Sequence, residues 1–506
     1  MTLLTFFGMI AIPLVASPLV YLSGRLGAHE LVLHRRSYLV RGLSLLTIML
    51  AWIPFVVATR SFLAGTTQEF NLENIWLRFD GVSLVTSGMA LVLGTFVILF
   101  SGPYMAGEAS EEKYYAMLLA MIGMMLGLVC ARDLFNLWVW FEGMAISSYL
   151  LVAFYREQAA SLEAGMKYLV QSATGSVMVL MGIALVLANA GTLDMSEVQQ
   201  AVTGSGVSRL TLLAAGALFV IGFGVKVAMV PLHTWLPDAH AQAPSGISAM
   251  LSGVVIEAGL IAMLRALSVL TGFTASWGIL FMMFGALNIL YGNLLALRQT
   301  MVKRMLAYSS LSHIGYILLG LGITFYSGTE LGAQGAFFHL FNHMLMKGLA
   351  FLAVGALIYG MFLQNNSHAS LKVEDLAGTA QKYPWVALAL SIAVLGLGGL
   401  PPLAGFMSKW QIFVAGFQTQ NGWLIALMIF MALNSVLSLA YYAPLVNLMY
   451  RKTPSEQVMA GKPLSWAVTF SLVVLTLAII VLGLAPPLMN SLTAPAAQTL
   501  LALFGG

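Results

Sequence analysis

The chain has 506 residues, of which 60% are hydrophobic and 8% charged, with a mean hydropathy of +0.91 and a formal net charge of +4. A soluble globular protein carries about 25% charged residues, so this composition excludes a soluble domain. The modest positive charge calls for no nucleic acid, because the basic residues spread over short loops beside an anionic leaflet.

A hydrocarbon core about 30 Å thick needs about 20 apolar residues per helical crossing. In chain order, about fourteen such spans are expected: 2–22, 42–59, 82–100, 114–131, 134–154, 166–190, 208–230, 246–271, 275–297, 301–323, 332–361, 384–416, 422–449 and 464–485. The first span lacks the basic leader of a secretory signal, and Ala16 and Pro18 make no clear cleavage site, so it reads as a retained helix. Of the 23 Lys and Arg, 15 fall in odd-numbered loops, 5 in even-numbered loops and 3 inside spans. Arg25, Arg35, Arg36 and Arg41 load the first odd loop, Arg298, Lys303 and Arg304 the fifth, and Arg451, Lys452 and Lys462 the last. The odd loops are therefore expected to be cytoplasmic, with both termini on the outer side of a bacterial or archaeal plasma membrane.

Cys130 is the single cysteine, so the chain cannot hold an iron–sulfur cluster on its own thiolates. No GxGxxG or phosphate loop sits between a strand and a helix, and no cofactor is expected in this chain. Any redox energy has to come from another subunit.

The seventh span, IGFGVKVAMVPLHTWLP, brackets Lys226 with Gly222, Gly224 and Pro231; the twelfth, LGLGGLPPLAGFMSKW, places Gly398, Gly399, Pro401 and Pro402 before Lys409. Irregular backbone at membrane depth survives only where protein or water satisfies the freed N–H and C=O groups. Five spans separate the two breaks, as expected if spans four to eight and nine to thirteen are inverted copies of a five-helix unit. The expected organisation is a three-helix segment over 1–110, a first repeat over 111–271, a second over 272–449, and a last helix with its tail over 450–506.

Buried charge carries the chemistry. Glu142 sits mid-span, where an unpaired charge costs about 2.5–3.5 kcal/mol, and Lys226 is its expected partner. A pair at about 4 Å is worth roughly 4 kcal/mol at an effective dielectric of 20, against about 2.3 kcal/mol to move one charge through 100 mV, so the pair is suited to an energy-coupled proton switch. A fixed interhelix salt bridge is the plainer alternative. His339, His343 and Lys347 recur every four residues along one helical stripe, a spacing suited to a proton wire, and His313 adds a titratable group on the preceding helix. Metal binding is not expected, since the HExxH form would need glutamate where Leu340 stands. Glu257, on the eighth span, can accept a proton leaving Lys226 or act as a fixed counter-ion of Lys226 or Lys347. Arg132, Asp133, Asp238, His240 and Arg265 lie near span ends, where snorkelling or local pairing accounts for them.

The segments VPLHTWLPDAHAQAPSGISAML (230–251), YSSLSHIGYILLG (308–320), HLFNHMLMKGLAFL (339–352) and GLPPLAGFMSKWQIF (399–413) resemble the antiporter-like subunits of respiratory complex I. That family also holds the A- and D-type chains of the Mrp cation/proton antiporters and the large membrane subunits of membrane-bound hydrogenases. The resemblance covers nearly the whole chain and is strongest from about 110 to 415. It implies fourteen helices, two inverted repeats and a proton half-channel in each. By the same resemblance, Glu142 matches the glutamate of the fifth helix, Lys226 the essential lysine of the seventh, and Lys409 the residue of the twelfth from which the proton leaves. The M-type chain of complex I and the D-type chain of Mrp usually carry lysine eight residues before an arginine on the eighth helix, whereas here Glu257 precedes Arg265 by eight. Lys347 and Lys409 follow the pattern of the L-type, N-type, Mrp or hydrogenase-type chains. The stretch after residue 485 argues against the L-type chain of complex I and the A-type chain of Mrp, which continue into a lateral helix or extra domain.

Three functions follow as expectations. The first is a proton-translocating subunit of a complex I-type NADH- or ferredoxin-quinone oxidoreductase. The second is the D-type chain of an Mrp Na+/H+ antiporter, with the ion-pumping subunit of a membrane-bound hydrogenase beside it. The third, a free-standing transporter of an organic solute, would need a midplane recognition pocket where the sequence offers a narrow titratable string. Partners would be other membrane subunits, lipid, and protons or sodium.

Overall fold

In a computed structural model, described over residues 2–25, 33–66, 68–72, 75–203, 208–270, 272–363, 370–451 and 453–505, the chain is an almost wholly helical bundle. Lys452 and the side chains of Arg35 and Arg36, counted above among the basic loops, lie outside the described residues. Helices α1 (Thr2–Arg25) and α2 (Leu33–Leu63) lead to a hairpin of β1 (Gln68–Leu72) and β2 (Ile75–Phe79), antiparallel with Gln68 opposite Phe79. The chain continues through α3 (Gly81–Tyr104), α4 (Glu111–Cys130), α5 (Leu134–Val152), α6 (Ala159–Ala190), the short α7 (Met195–Thr203) and α8 (Arg209–Val227). After a break come α9 (Trp235–Gln242), α10 (Ser245–Met250) and α11 (Ile256–Ser268), the last two joined by a π-helical turn over Leu251–Val255. Then follow α12 (Thr274–Ala296), α13 (Val302–Ser327), α14 (Glu330–Met361), α15 (Thr379–Lys382), α16 (Pro384–Gly398), α17 (Ala404–Gln418), α18 (Gly422–Arg451), α19 (Glu456–Ala460), α20 (Trp466–Leu484) and α21 (Asn490–Leu503).

Twelve helices among the described residues are long and apolar enough to cross a membrane, against about fourteen spans counted in sequence. The two spans missing from the twelve are α5, nineteen residues carrying Glu142 and several polar groups, and the twelfth, which is split into α16 and α17. The hairpin, α7 and α21 gave no sequence signal, being too short or too mixed in polarity to stand out. Helix α21 packs against α3 and α14, and its backbone is held by Gln199 Nε2, which donates to Leu503 O at 2.8 Å and to Ser268 O at 2.9 Å.

Both interrupted helices are present. Helix α8 ends at Val227, with Ala228 in the left-handed region (φ 57°), and α16 ends at Gly398, with Gly399 at φ 79°. Each break contains a cis proline peptide, Val230–Pro231 and Pro401–Pro402. The freed carbonyls find side-chain donors: Trp235 Nε1 donates to Val225 O at 2.7 Å, Lys409 Nζ to Leu397 O at 2.8 Å, and Ser435 Oγ to Gly398 O at 3.1 Å.

Helices α12 and α13 approach along a glycine seam; a Cβ at Gly285 would stand 2.8 Å from Gly315 O, a separation only two glycines permit. The α10–α11 rod is buried along its whole length, α13 and α14 nearly so, while α1, α2, α6 and α18 turn many apolar residues outward. Helix α14 is thus the hub, packed against α10, α13, α16, α17, α20, α21 and α3.

Candidate functional site

The first group of polar residues, buried or half-buried, lies where α5, α6, α8 and α11 meet. Lys226, 1% exposed in the last turn of α8, donates its Nζ to Tyr168 OH at 2.6 Å and stands 4.7 Å over the same ring. Tyr168 is held flat against Trp235 at 3.9 Å, so the residue that caps the broken end of α8 also fixes the lysine's acceptor. Glu142 accepts from Ser176 Oγ at 2.5 Å, and Trp138 Nε1 donates to that hydroxyl at 2.9 Å. The direct Glu142–Lys226 ion pair expected from the sequence is not formed, because a serine and a tyrosine on α6 take the two charges separately. Behind Lys226, α11 presents Gly259, where a Cβ would come within 2.9 Å of Lys226 Cγ; the missing side chain lets the lysine lie against the helix that carries Glu257.

The second group runs along α14. Glu257 Oε1 and His343 Nδ1 are 2.7 Å apart, both residues fully buried. Among the described residues Glu257 makes no ion pair with Lys226 or Lys347, the counter-ion contacts expected from the sequence; its partner is the His343 imidazole, since the face of α11 that bears it looks at α14. His313 of α13 lies between two α14 histidines, its ring 5.2 Å from His343 and 5.2 Å from His339, with Nδ1 3.0 Å from His339 Nε2. His339 Nδ1 in turn meets Ser408 Oγ at 2.9 Å, and the next residue, Lys409, reaches Ser435 Oγ at 2.8 Å with its Nζ 4.5 Å over Tyr316. Tyr316 stands edge-on to His339 at 5.8 Å, linking the lysine to the histidines.

Glu257, His343, His313, His339 and Ser408 thus form one line from α11 to the foot of Lys409. Lys347 leaves that line, although it shares the α14 stripe: its Nζ donates to Leu306 O at 2.6 Å and to Ser309 Oγ. The π turn just before Glu257 is tied to α13 by a 2.7 Å contact between Ser252 Oγ and Ser310 Oγ. Such turns recur at functional sites because they rotate the residues that follow.

Two residues placed at span ends sit otherwise. Arg265 is 3% exposed and donates to both oxygens of Asp80 at 3.0 Å, to Ser83 Oγ at 3.0 Å and to Val129 O at 2.6 Å, so it is a buried tie of α11 to α3 and α4 and does not snorkel. His240 is fully buried and stacked on Phe351 at 4.7 Å, with no hydrogen-bond partner for either ring nitrogen among the described residues. The others pair locally: Asp238 bridges Lys167 (3.0 Å) and Arg304 (2.8 Å), Arg132 bridges Glu69 (2.6 Å) and Asp194 (3.0 Å), and Asp133 caps α5. Tyr168, Ser176, Tyr316, Ser408 and Ser435 escaped the sequence reading. Isolated serines and tyrosines in apolar helices are common, and only the fold puts these within reach of the charges. Ser408, directly before Lys409, was the one with a local signal.

Residues 131–438 match the family model described as the transmembrane segment of NADH:quinone oxidoreductase and Mrp antiporter proteins. The chain is 33% identical over 448 residues to NADH-quinone oxidoreductase subunit N of Trichlorobacter lovleyi, covering 88% of each. It is 31% identical over 446 residues to F(420)H(2) dehydrogenase subunit N of Methanosarcina mazei, covering 86% of this chain and 87% of that one. Its fold is similar to a chain of the membrane-bound sulfane sulfur reductase, an archaeal respiratory membrane complex, with a TM-score of 0.85 at 27% identity over 98% and 99% of the two chains.

Proposed function

The chain belongs to the NADH:quinone oxidoreductase/Mrp antiporter transmembrane family, and from that we propose that it is the proton-translocating, antiporter-like membrane subunit of a complex I-type oxidoreductase, working beside other membrane subunits. The observation that carries the proposal is the buried line Glu257–His343–His313–His339–Ser408–Lys409, in which each member touches or stacks on the next. A string of exchangeable protons through an apolar bundle has little structural use, since each buried charge at membrane depth costs about 2.5–3.5 kcal/mol unless satisfied.

In this mechanism Lys226 is loaded from the cytoplasmic side, with Glu142 setting the local potential across α6, whose Ser176 and Tyr168 hold the two groups. A unit charge arriving about 8 Å away changes a site's energy by about 2 kcal/mol at an effective dielectric of 20, comparable to the roughly 2.3 kcal/mol needed per 100 mV. A modest rearrangement of Glu142 relative to Lys226 is therefore enough to expel the lysine's proton toward Glu257. The carboxyl and imidazole of Glu257 and His343 share one labile proton, the histidines pass it along α14, and Lys409 releases it to the outer side. Lys347, on its own acceptors one turn away, biases His343 electrostatically. The chain itself carries no cofactor or metal in this scheme, and redox work arrives from partner subunits.

We further read the chain as crossing fourteen times, as two inverted five-helix repeats over 111–271 and 272–449 with both termini outside. Single-cysteine accessibility scanning tests this directly, because Cys130 is buried and gives little background. The functional proposal is tested by proton uptake into proteoliposomes holding the whole parent complex. Glu257→Gln should lose uptake while the complex assembles, and normal uptake by that variant would overturn the line as the route. Polypeptides that co-purify decide the parent: iron–sulfur and hydrogenase-like subunits fit the oxidoreductase, whereas a set of small antiporter subunits alone fits an Mrp-type cation/proton exchanger.

A further inference from the structure

Where α1, α4 and α5 end at one membrane surface they enclose a groove of about 570 Å³. One part of its wall is apolar, formed by Met117, Leu150 and Phe154, with Leu150 46% exposed. The other part is charged, formed by Glu108, Lys113, Arg156 and Glu157. The remaining charges of this rim already have partners within the protein: Arg25 with Glu112 at 3.4 Å, Arg41 with Glu111 at 2.5 Å, and Glu108, which is likewise engaged. Among the described residues, the side chains of Lys113, Arg156 and Glu157 have no hydrogen bond or ion pair. Of the charges on the groove, two cations and one carboxylate are therefore left without a partner among the described residues, at the ends of membrane-crossing helices.

We propose that this groove is a binding site for one aminophospholipid, with the phosphate between Lys113 and Arg156, the ammonium on Glu157, and an acyl chain laid along Met117, Leu150 and Phe154. The three charges match a zwitterion. A purely anionic headgroup would answer the two cations and leave Glu157 beside a negative charge; a quaternary amine would reach the carboxylate without a hydrogen bond to give. Long basic side chains at a helix end extend to headgroup level while their stems stay on apolar surface, so both cations can reach a phosphate without moving the backbone. An acyl chain is the natural cover for the exposed Leu150 and the half-buried Phe154. A segment of a neighbouring subunit is the competing occupant.

The test is native mass spectrometry of the full chain released from vesicles containing equal amounts of phosphatidylethanolamine, phosphatidylglycerol and phosphatidylcholine. The wild type should retain phosphatidylethanolamine preferentially. Each basic residue near a lipid surface contributes a factor of about five in affinity, so the double variant Lys113→Ala/Arg156→Ala should retain about thirtyfold less. Glu157→Gln should keep phospholipid but lose the preference for the ethanolamine headgroup over glycerol. Equal retention by the double variant, or no headgroup preference in the wild type, would overturn the proposal. So would a photo-crosslinker at position 150 that captures a polypeptide instead of lipid in the native membrane. Should the double variant fail to fold, Arg156→Gln alone decides, since that exposed, unpartnered side chain contributes nothing to the bundle and unchanged retention would again overturn the site.

Discussion

Glu257 of α11 and His343 of α14 meet at 2.7 Å with neither residue open to solvent, and the far atoms of the pair, Glu257 Oε2 and His343 Nε2, have no partner among the described residues. A carboxyl and an imidazole so placed can share one proton and keep one free acceptor or donor position each, as the proposed transfer site needs and a fixed counter-ion does not. Glu257→Gln keeps size and hydrogen bonding but cannot exchange a proton, so uptake should fall by more than about tenfold with assembly intact. His343→Gln should do the same, and the double variant should be no worse than either single one, because the two residues act as a unit. Infrared difference spectra during turnover should show a protonated-carboxyl band in the wild type that is missing from Glu257→Gln. Glu257→Lys, which installs the residue expected in the M-type chain of complex I and the D-type chain of Mrp, should not restore uptake, because a second cation would then face His343 and lie near Lys226.

Lys226→Ala and Glu142→Ala should each nearly abolish uptake. Tyr168→Phe is the more informative change. It removes only the acceptor of Lys226 Nζ while leaving the ring stacked on Trp235, and a hydrogen bond to a charged group is worth about 1.5–3 kcal/mol. The rate should drop about tenfold with Trp235 fluorescence unchanged. If uptake in Tyr168→Phe matched the parent, Tyr168 would have no part in poising the lysine.

Lys409 has two tasks that can be separated. Its Nζ satisfies Leu397 O at the broken end of α16 as well as Ser435 Oγ, so Lys409→Ala should lower thermal stability by about 1–3 kcal/mol in addition to blocking release. Lys409→Glu should recover part of the uptake, since a carboxylate also holds a transferable proton, but little of the stability, since it only accepts when ionised and has a single donor for the two partners of Lys409 when protonated. Denaturation curves read beside uptake rates distinguish the two effects.

The buried Arg265–Asp80 tie should behave as a structural pair. Removing one partner strands a buried charge, so Asp80→Ala should destabilise the bundle by about 3–5 kcal/mol. The double change Asp80→Leu/Arg265→Met should recover much of that loss. A double-mutant cycle on unfolding in detergent measures the coupling, and additive single losses would mean that the pair contributes nothing as a pair.

The sequence by itself determined the class and most of the spans, and named the buried charges and histidines. Sixty per cent apolar residues leave only a membrane for the chain to live in, and glycine and proline beside Lys226 and Lys409 mark both helix breaks, because each residue type acts locally on the backbone. The charged and histidine members of the proposed route were nameable from the cost of charge at membrane depth, which holds whatever the neighbours are. Which group touches which was decided by the tertiary structure alone. Periodicity put His339, His343 and Lys347 on one stripe, yet α13 inserts His313 between the two histidines and draws Lys347 aside to Leu306 and Ser309. Opposite charge suggested Glu142 with Lys226, yet Ser176 and Tyr168 are nearer and take both. Arg265 looked like an end residue because Asp80 is 185 positions away, and no local pattern reports a contact over that distance. Helix rotation and packing set these pairings, and both are outcomes of the whole bundle, not of any one segment.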